Sequence, residues 1–345
     1  MDNKVFAKDE WLKALKSLEQ DYAVFVPVKT GDFHSFARLD TVKAPDFTYQ
    51  NTRLSPKLLV YPESERMFEY TVDENDAEYN ILREAQKEFR PQAIVGIRPC
   101  DAQGFQIVKV NFDTPEYKDP WWTRRFEATT LVGLGCSEPC ATCFCSSVGG
   151  GPFSQKGLDV LLYDIGDSYL AKPLTDKGQA LIEKMEGGKD ADQAEIDRAQ
   201  SLAEQAGGKV TSRVETNKLK DKNVLDLFNA PFWEELAFAC INCGTCTFLC
   251  PTCWCFDIQD EVYQKQGDRI RNWDSCMFPL FTLHGSGHNP RSEKHQRVRQ
   301  RFMHKLKYYV DKYGNGVQCS GCGRCIQFCP VNIDIRHVIE LMNSV

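Results

Sequence analysis

Two stretches of this sequence repeat one cysteine pattern. Cys240, Cys243, Cys246 and Cys250 lie in CINCGTCTFLCP, and Cys319, Cys322, Cys325 and Cys329 lie in CSGCGRCIQFCP; both read C-x2-C-x2-C-x3-C-P. Thiolates are soft ligands that select zinc or iron–sulfur clusters over hard cations. Zinc sites pair two C-x2-C knuckles, whereas three cysteines at successive x2 steps followed by x3-C-P is iron–sulfur spacing. A cubane cluster needs thiolates at the corners of a tetrahedron. A tight turn carrying C-x2-C-x2-C wraps three of them round one cluster, so the fourth must come from elsewhere.

In bacterial two-cluster ferredoxins the last cysteine of each motif crosses to the other cluster, because the helix beyond the third cysteine carries it away. The expected sets are therefore Cys240, Cys243, Cys246 and Cys329 for one [4Fe-4S] cluster, and Cys319, Cys322, Cys325 and Cys250 for a second. Pro251 and Pro330 fix φ and remove an N–H where the chain must turn. Gly244, Gly321 and Gly323 suit backbone that approaches inorganic sulfur closely and donates N–H groups to it.

Half of the sixteen cysteines lie outside this repeat. Cys136, Cys140, Cys143 and Cys145 fall within ten residues in GCSEPCATCFCSSVGGGP, straight after the strand-like TTLVGLG. Soft ligands so dense at a strand's carboxyl end, where α/β sheets build sites, predict a third iron–sulfur cluster. Cys100, in GIRPCDAQG, also follows a strand and supplies a ligand if one of the four does not bind. Cys253, Cys255 and Cys276, between the repeats, admit two readings: buried thiols, or part of a further site completed by Cys100 or a partner chain. Between Arg291 and Lys312 eight Lys or Arg oppose two acids. That run is read either as a solvated helix face or as cations that stabilise negatively charged clusters.

The elements that must position these residues follow from periodicity. Trp11, Leu12, Leu15 and Leu18 recur at helical spacing. Strands are predicted at 23–28, 57–61, 93–98, 129–135 and 158–166, with a helix over 75–89, surface helices over 174–206 and another over 218–229. The fold class is thus an α/β N-terminal domain, 1–215, with the cysteine-rich loop. It is followed over 232–345 by an α+β, α-rich dicluster domain of bacterial ferredoxin type with a long insert at 251–318. A formal charge of −6 gives no pull towards nucleic acid. No apolar run approaches the ~20 residues of a membrane span, and the N-terminus has no secretory pattern, so the expected compartment is the cytoplasm. A reducing compartment makes disulfides a poor account of sixteen cysteines.

Taken together, SPKLLVYPESERMFEY at 55–70, RPCDAQG at 98–104, CFC at 143–145, CGTCTFLCPTCWCFDI at 243–258, WDSCMF at 273–278, HGSGHNPR at 284–291, RQRFMHKLKYY at 299–309 and CSGCGRCIQFCP at 319–330 resemble the iron–sulfur beta subunits of cytoplasmic sulfhydrogenases and the corresponding iron–sulfur component of anaerobic sulfite reductase. The resemblance implies a non-catalytic subunit of anaerobic metabolism, with no catalytic residues of its own. Such a subunit relays single electrons between a reductase subunit that binds flavin and NAD(P) and a catalytic redox partner of hydrogenase, sulfite reductase or heterodisulfide reductase type. The competing class is a stand-alone iron–sulfur oxidoreductase whose N-terminal domain binds substrate.

Overall fold

A computed structural model describes residues 2–345. The chain opens with β1 (Lys4–Ala7), β2 (Ala23–Thr30) and β3 (Phe33–Arg38), then β4 (Ser64–Thr71), the two-residue β5 (Arg83–Glu84) and β6 (Gln92–Ile97). After two helices, Pro99–Phe112 and Pro120–Glu127, come β7 (Thr129–Leu134), β8 (Val160–Asp164), β9 (Ser168–Pro173) and β10 (Lys189–Asp190). Eight of these form one sheet in the order β10-β1-β9-β8-β7-β6-β2-β3, parallel from β2 through β6 and β7 to β8 and antiparallel at both flanks.

Every residue of β6 and β7 is buried, as expected for parallel strands covered on both faces. Their side chains alternate between two cores. Ile94, Ile97 and Leu131 pack with Phe105, Val108 and Phe112 of the helix Pro99–Phe112. Ala93, Val95, Val132 and Leu134 pack with Trp11, Leu15 and Leu18 on the opposite side. The carboxyl ends of β6 and β7 therefore lie side by side, and they deliver Cys100 and Cys136 to one edge of the sheet.

The stretch between the two cysteine repeats folds into the hairpin β11 (Phe256–Tyr263) and β12 (Gln266–Trp273), and β12 pairs antiparallel with β4. A four-stranded sheet, β11-β12-β4-β5, thus joins residues far apart in sequence. The remaining C-terminal core gathers Trp233, Phe302, Leu306, Ile335, Val338 and Ile339 round Phe144, a residue of the upstream cysteine loop. No helix among the described residues is long and apolar enough to cross a membrane.

Three local readings are corrected. Residues 57–61 are not a strand: Ser55 caps a 3-10 helix, Pro56–Leu59, and Pro56 sits at its first position. Residues 75–89 are not a helix. Asp73 and Asp76 accept hydrogen bonds from the backbone N–H groups of Asn75 and Glu78, closing turns in place of helical bonds, and only β5 is regular. The helix read over 218–229 is two, Asn217–Asp221 of 3-10 type and Val224–Asn229, because Asn223 caps the second by accepting from Leu225 and Asp226.

Candidate metal centres

The two cysteine repeats adopt the same local geometry. Gly244 (φ +75°) and Gly323 (φ +74°) stand immediately before the short helices Thr245–Phe248 and Arg324–Gln327. Left-handed backbone at these places turns the chain between the second and third thiols of each motif. Backbone N–H groups reach sulfur at matching positions at the first cysteine of each motif, Asn242 to Cys240 Sγ at 3.4 Å and Gly321 to Cys319 Sγ at 3.4 Å, and from different positions at the last, Thr252 to Cys250 Sγ at 3.4 Å and Ile333 to Cys329 Sγ at 3.2 Å. Such donors favour the thiolate, the form that binds metal.

Cys240, Cys243, Cys246 and Cys329 line one cavity, with Cys325 also in its wall. Three thiols of the first repeat thus face the last of the second. Cys243 is exposed, while burial pushes the Cys240 and Cys246 thiols up. The other walls are apolar except for Thr245 and Arg301.

Cys319, Cys322 and Cys250 are buried, and Cys325 is half-buried. Burial pushes Cys319 up to about 12 and raises Cys322 and Cys325, and the nearby Cys250 sulfur adds to each shift. Cys250 itself is held well below the ordinary thiol value by a hydrogen bond from Cys253 and by the Lys305 ammonium. Lys305 Nζ lies 3.2 Å from Cys250 Sγ and also donates to Thr252 Oγ1 at 2.8 Å and Gln318 O at 3.1 Å.

A second cavity sits where β6 and β7 end and is lined by Cys100, Cys136, Cys143 and Cys145 together with Cys322 and Arg98. Cys140 does not line it. Its side chain hydrogen-bonds Cys143, which lowers Cys140 to about 7 and raises Cys143. Burial raises Cys136 to about 11 and Cys100 well above the usual thiol range. Arg98 frames the cavity by donating to the carbonyls of Gln50 at 2.9 Å and Gly135 at 2.9 Å.

This loop is pressed onto the second repeat. Phe144 N donates to Gly321 O at 2.9 Å, and Asn51 Nδ2 to Cys322 O at 3.1 Å. A Cβ on Gly321 would meet the Cys145 Cα at 2.6 Å, so only glycine allows this approach. Arg324, wholly buried, pairs with Asp101 at 2.7 and 2.9 Å across the same contact. Cys253, Cys255 and Cys276 line neither cavity, and Cys253 hydrogen-bonds Cys250. Cys255 and Cys276 share a hydrogen bond that holds Cys255 at about 7, and the buried Lys57 donates to Cys253 O at 2.8 Å.

Arg98, Asp101, Lys57 and Arg324 lie within the motifs RPCDAQG, SPKLLVYPESERMFEY and CSGCGRCIQFCP, but those motifs assign them no role. Arg98, Asp101 and Arg324 stand beside cysteines in sequence, a signal that Lys57 lacks. Among the described residues, no three Cys, His, Asp or Glu side chains converge on one point as ligands of a single ion would. The thiols of the first cavity instead stand round it with N–H donors at Cys240 and Cys329, an arrangement that fits a multi-iron cluster, whereas Cys250 and Cys319 line neither cavity.

Residues 239–333 match the family described as a 4Fe-4S dicluster domain. Over 340 residues, 96% of this chain and 94% of the relative, the sequence is 29% identical to the sulfhydrogenase 2 subunit beta of Pyrococcus furiosus. No solved structure matches the chain. This is therefore an iron–sulfur protein with a C-terminal 4Fe-4S dicluster domain, similar along nearly its whole length to the beta subunit of a sulfhydrogenase.

Proposed function

We propose that the chain is the electron-relay subunit of a soluble redox complex, holding one [4Fe-4S] cluster by Cys240, Cys243, Cys246 and Cys329 and another by Cys319, Cys322, Cys325 and Cys250. The observation that carries this reading is the first cavity, where three thiols of one repeat and the last of the other face each other. Bound clusters of this kind supply one-electron uptake and release at a potential set by charge, hydrogen bonding and solvent exposure. The residues of the chain hold the thiols, exclude water with Met277 and Phe302, and leave Cys243 exposed as the point of closest approach for a partner. The partners that suit this role are a flavin- and NAD(P)-binding reductase subunit on one side and a catalytic redox subunit on the other.

A third iron–sulfur site belongs to the same reading, with Cys100, Cys136, Cys143 and Cys145 as its thiols and Cys140 as a neighbour that supports Cys143. It lies against Cys322, so a third site there adjoins the second cluster.

Iron counting on the anaerobically purified chain, freed of its partner subunits, tests both parts: two four-iron clusters give about eight irons per chain and three give about twelve. Fewer than about eight overturns the dicluster assignment. Turnover of a small-molecule acceptor by the isolated chain with a reduced dye would replace the relay by a stand-alone oxidoreductase.

A further inference from the structure

The helix Lys294–Met303 continues through a π-helical turn, His304–Tyr308, into Tyr309–Tyr313. Arg297, Arg301 and Lys305 follow one another at four-residue intervals, so they share one face. That face is turned inward: the three are 6%, 4% and 2% exposed. The basic run is therefore not a solvated surface along this stripe, and what its charges face decides their role.

Arg297 has ordinary partners. It donates to Arg291 O at 2.9 Å and Ser292 O at 2.7 Å, and with the Asn242 amide oxygen turned towards it, Nε and Nη2 reach that oxygen at 3.0 and 2.7 Å. It thus braces the turn between Cys240 and Cys243. Lys305 touches Cys250 Sγ directly. Arg301 differs from both: its Nε and Nη2 are buried and have no hydrogen-bond partner, its guanidinium lies over the Phe302 ring at 4.3 Å, and the residue lines the cavity of Cys240, Cys243, Cys246 and Cys329. Besides burial itself, the groups that dominate its electrostatic surroundings are thiols, Cys246 of the first cavity first, then Cys325 in the same wall, Cys253 and Cys250, and no carboxylate is among them. A desolvated guanidinium with idle donors is costly unless an anionic acceptor meets it. Its pKa is too high for it to shed its charge.

We infer that Arg301 and Lys305 are potential-setting donors assigned one to each ferredoxin cluster, Arg301 to the sulfur of the Cys240–Cys243–Cys246–Cys329 cluster and Lys305 to that of the Cys319–Cys322–Cys325–Cys250 cluster. The inference rests on the dicluster reading above. A fixed positive donor at sulfur stabilises the more negative, reduced state over the oxidised one and so raises the potential of the cluster it touches. Because the guanidinium carries a planar fork and the ammonium is a compact point charge, the two clusters receive unequal donors. One helix then sets two potentials separately and orders the clusters along the electron path. Both are positioning residues, acting on the clusters through hydrogen bonding and charge.

The test is a redox titration of the full-length, iron-loaded chain in its native complex, followed by electron paramagnetic resonance. Signals are assigned to the first cavity by their alteration in Cys243→Ser. In Arg301→Gln the ratio of reduced to oxidised first cluster, at its wild-type midpoint, falls about tenfold, equivalent to about 59 mV for a one-electron couple, while the second cluster moves much less. In Lys305→Gln the larger shift is at the second cluster. Arg301→Lys, which keeps the charge and loses the fork, gives an intermediate shift at the first cluster. Equal shifts of both clusters in each variant, or no shift with iron content kept, overturn the inference. If Arg301→Gln fails to load iron, Arg301→Lys and Lys305→Gln carry the test, and unshifted potentials in both overturn it. Absence of any two-cluster signal in the wild-type complex defeats the dicluster reading itself, a result distinct from unmoved potentials.

Discussion

Arg271 and Arg301 are both buried arginines on elements between the two cysteine repeats, yet their surroundings are opposite in charge. Arg271 of β12 reaches Glu65 Oε2 at 2.6 Å and also pairs with Asp119. Glu65 in turn takes Lys87 at 2.9 Å and Arg125 at 2.7 Å. Burial alone would raise the Glu65 carboxyl, but Arg125 and its other cationic partners hold it below the usual carboxylate range. That network neutralises itself within the protein, and it locks β4, β12 and the helix Pro120–Glu127 together. Arg301 and Lys305 have thiols before them and no carboxylates. Buried charge balanced by protein groups reads as architecture; buried charge left unbalanced marks the place of an anionic guest.

The largest expected effect breaks the balanced side. Glu65→Gln leaves Arg271, Arg125 and Lys87 short of a shared counter-charge, and removing one partner of a buried ion network costs about 3–5 kcal/mol. Urea denaturation of the iron-loaded protein should show it. Arg301→Gln in the same assay should lose less, and an equal loss would erase the contrast between the two sites.

Gly321→Ala tests a junction with no change of charge. The residue has φ +65°, and the added methyl would press on the Cys145 backbone. A loss of about 1–3 kcal/mol is expected from strain at such a position, together with iron missing from the upstream site while the first cavity keeps its own. Full iron retention would show that the upstream loop does not depend on its seat against the second repeat.

A smaller effect sharpens the unbalanced side through pH. His304 is held down to about 4 by burial and by the neighbouring cations, Lys305 first, with Arg291 and Lys312 adding to it. Between pH 6.5 and 4 the unfolded chain binds a proton at this histidine that the folded chain refuses. Stability is therefore fully present above about pH 6.5 and falls by roughly 1.4 kcal/mol per unit below it, until the folded value is reached. Comparing wild type with His304→Gln between pH 7 and 5 isolates this contribution. Lys305→Gln should flatten the wild-type slope by relieving the repulsion, and an unchanged slope would mean burial alone depresses His304.

The smallest effect concerns Cys140. Because it supports Cys143 and does not line the upstream cavity, Cys140→Ser should keep the iron count of the wild type, whereas Cys136→Ser should lose iron from that site. Equal losses would make Cys140 a ligand.

Much of this was legible in the sequence because it is short-range. The spacing of thiols and glycines within each repeat dictates a turn, a left-handed residue and a short helix, all within a dozen residues. Apolar runs at 93–98 and 129–135 likewise announce buried strands, and the parallel pairing of β6 with β7 makes the cysteines that follow them neighbours. Where charged side chains closed local turns, as at Asp73 and Asp76, the helical reading of 75–89 failed, since such competition is invisible to periodicity. The four-residue spacing of Arg297, Arg301 and Lys305 was present in the sequence too, but spacing names a face without saying which way it points. Direction, and with it the meaning of the charges, was decided by tertiary packing. Burial strips water from Arg301, β12 carries Arg271 to Glu65 from 206 residues away, and Arg324 reaches Asp101 across 223. A charge's energy depends on the dielectric and the counter-charges around it, and those belong to the folded chain alone.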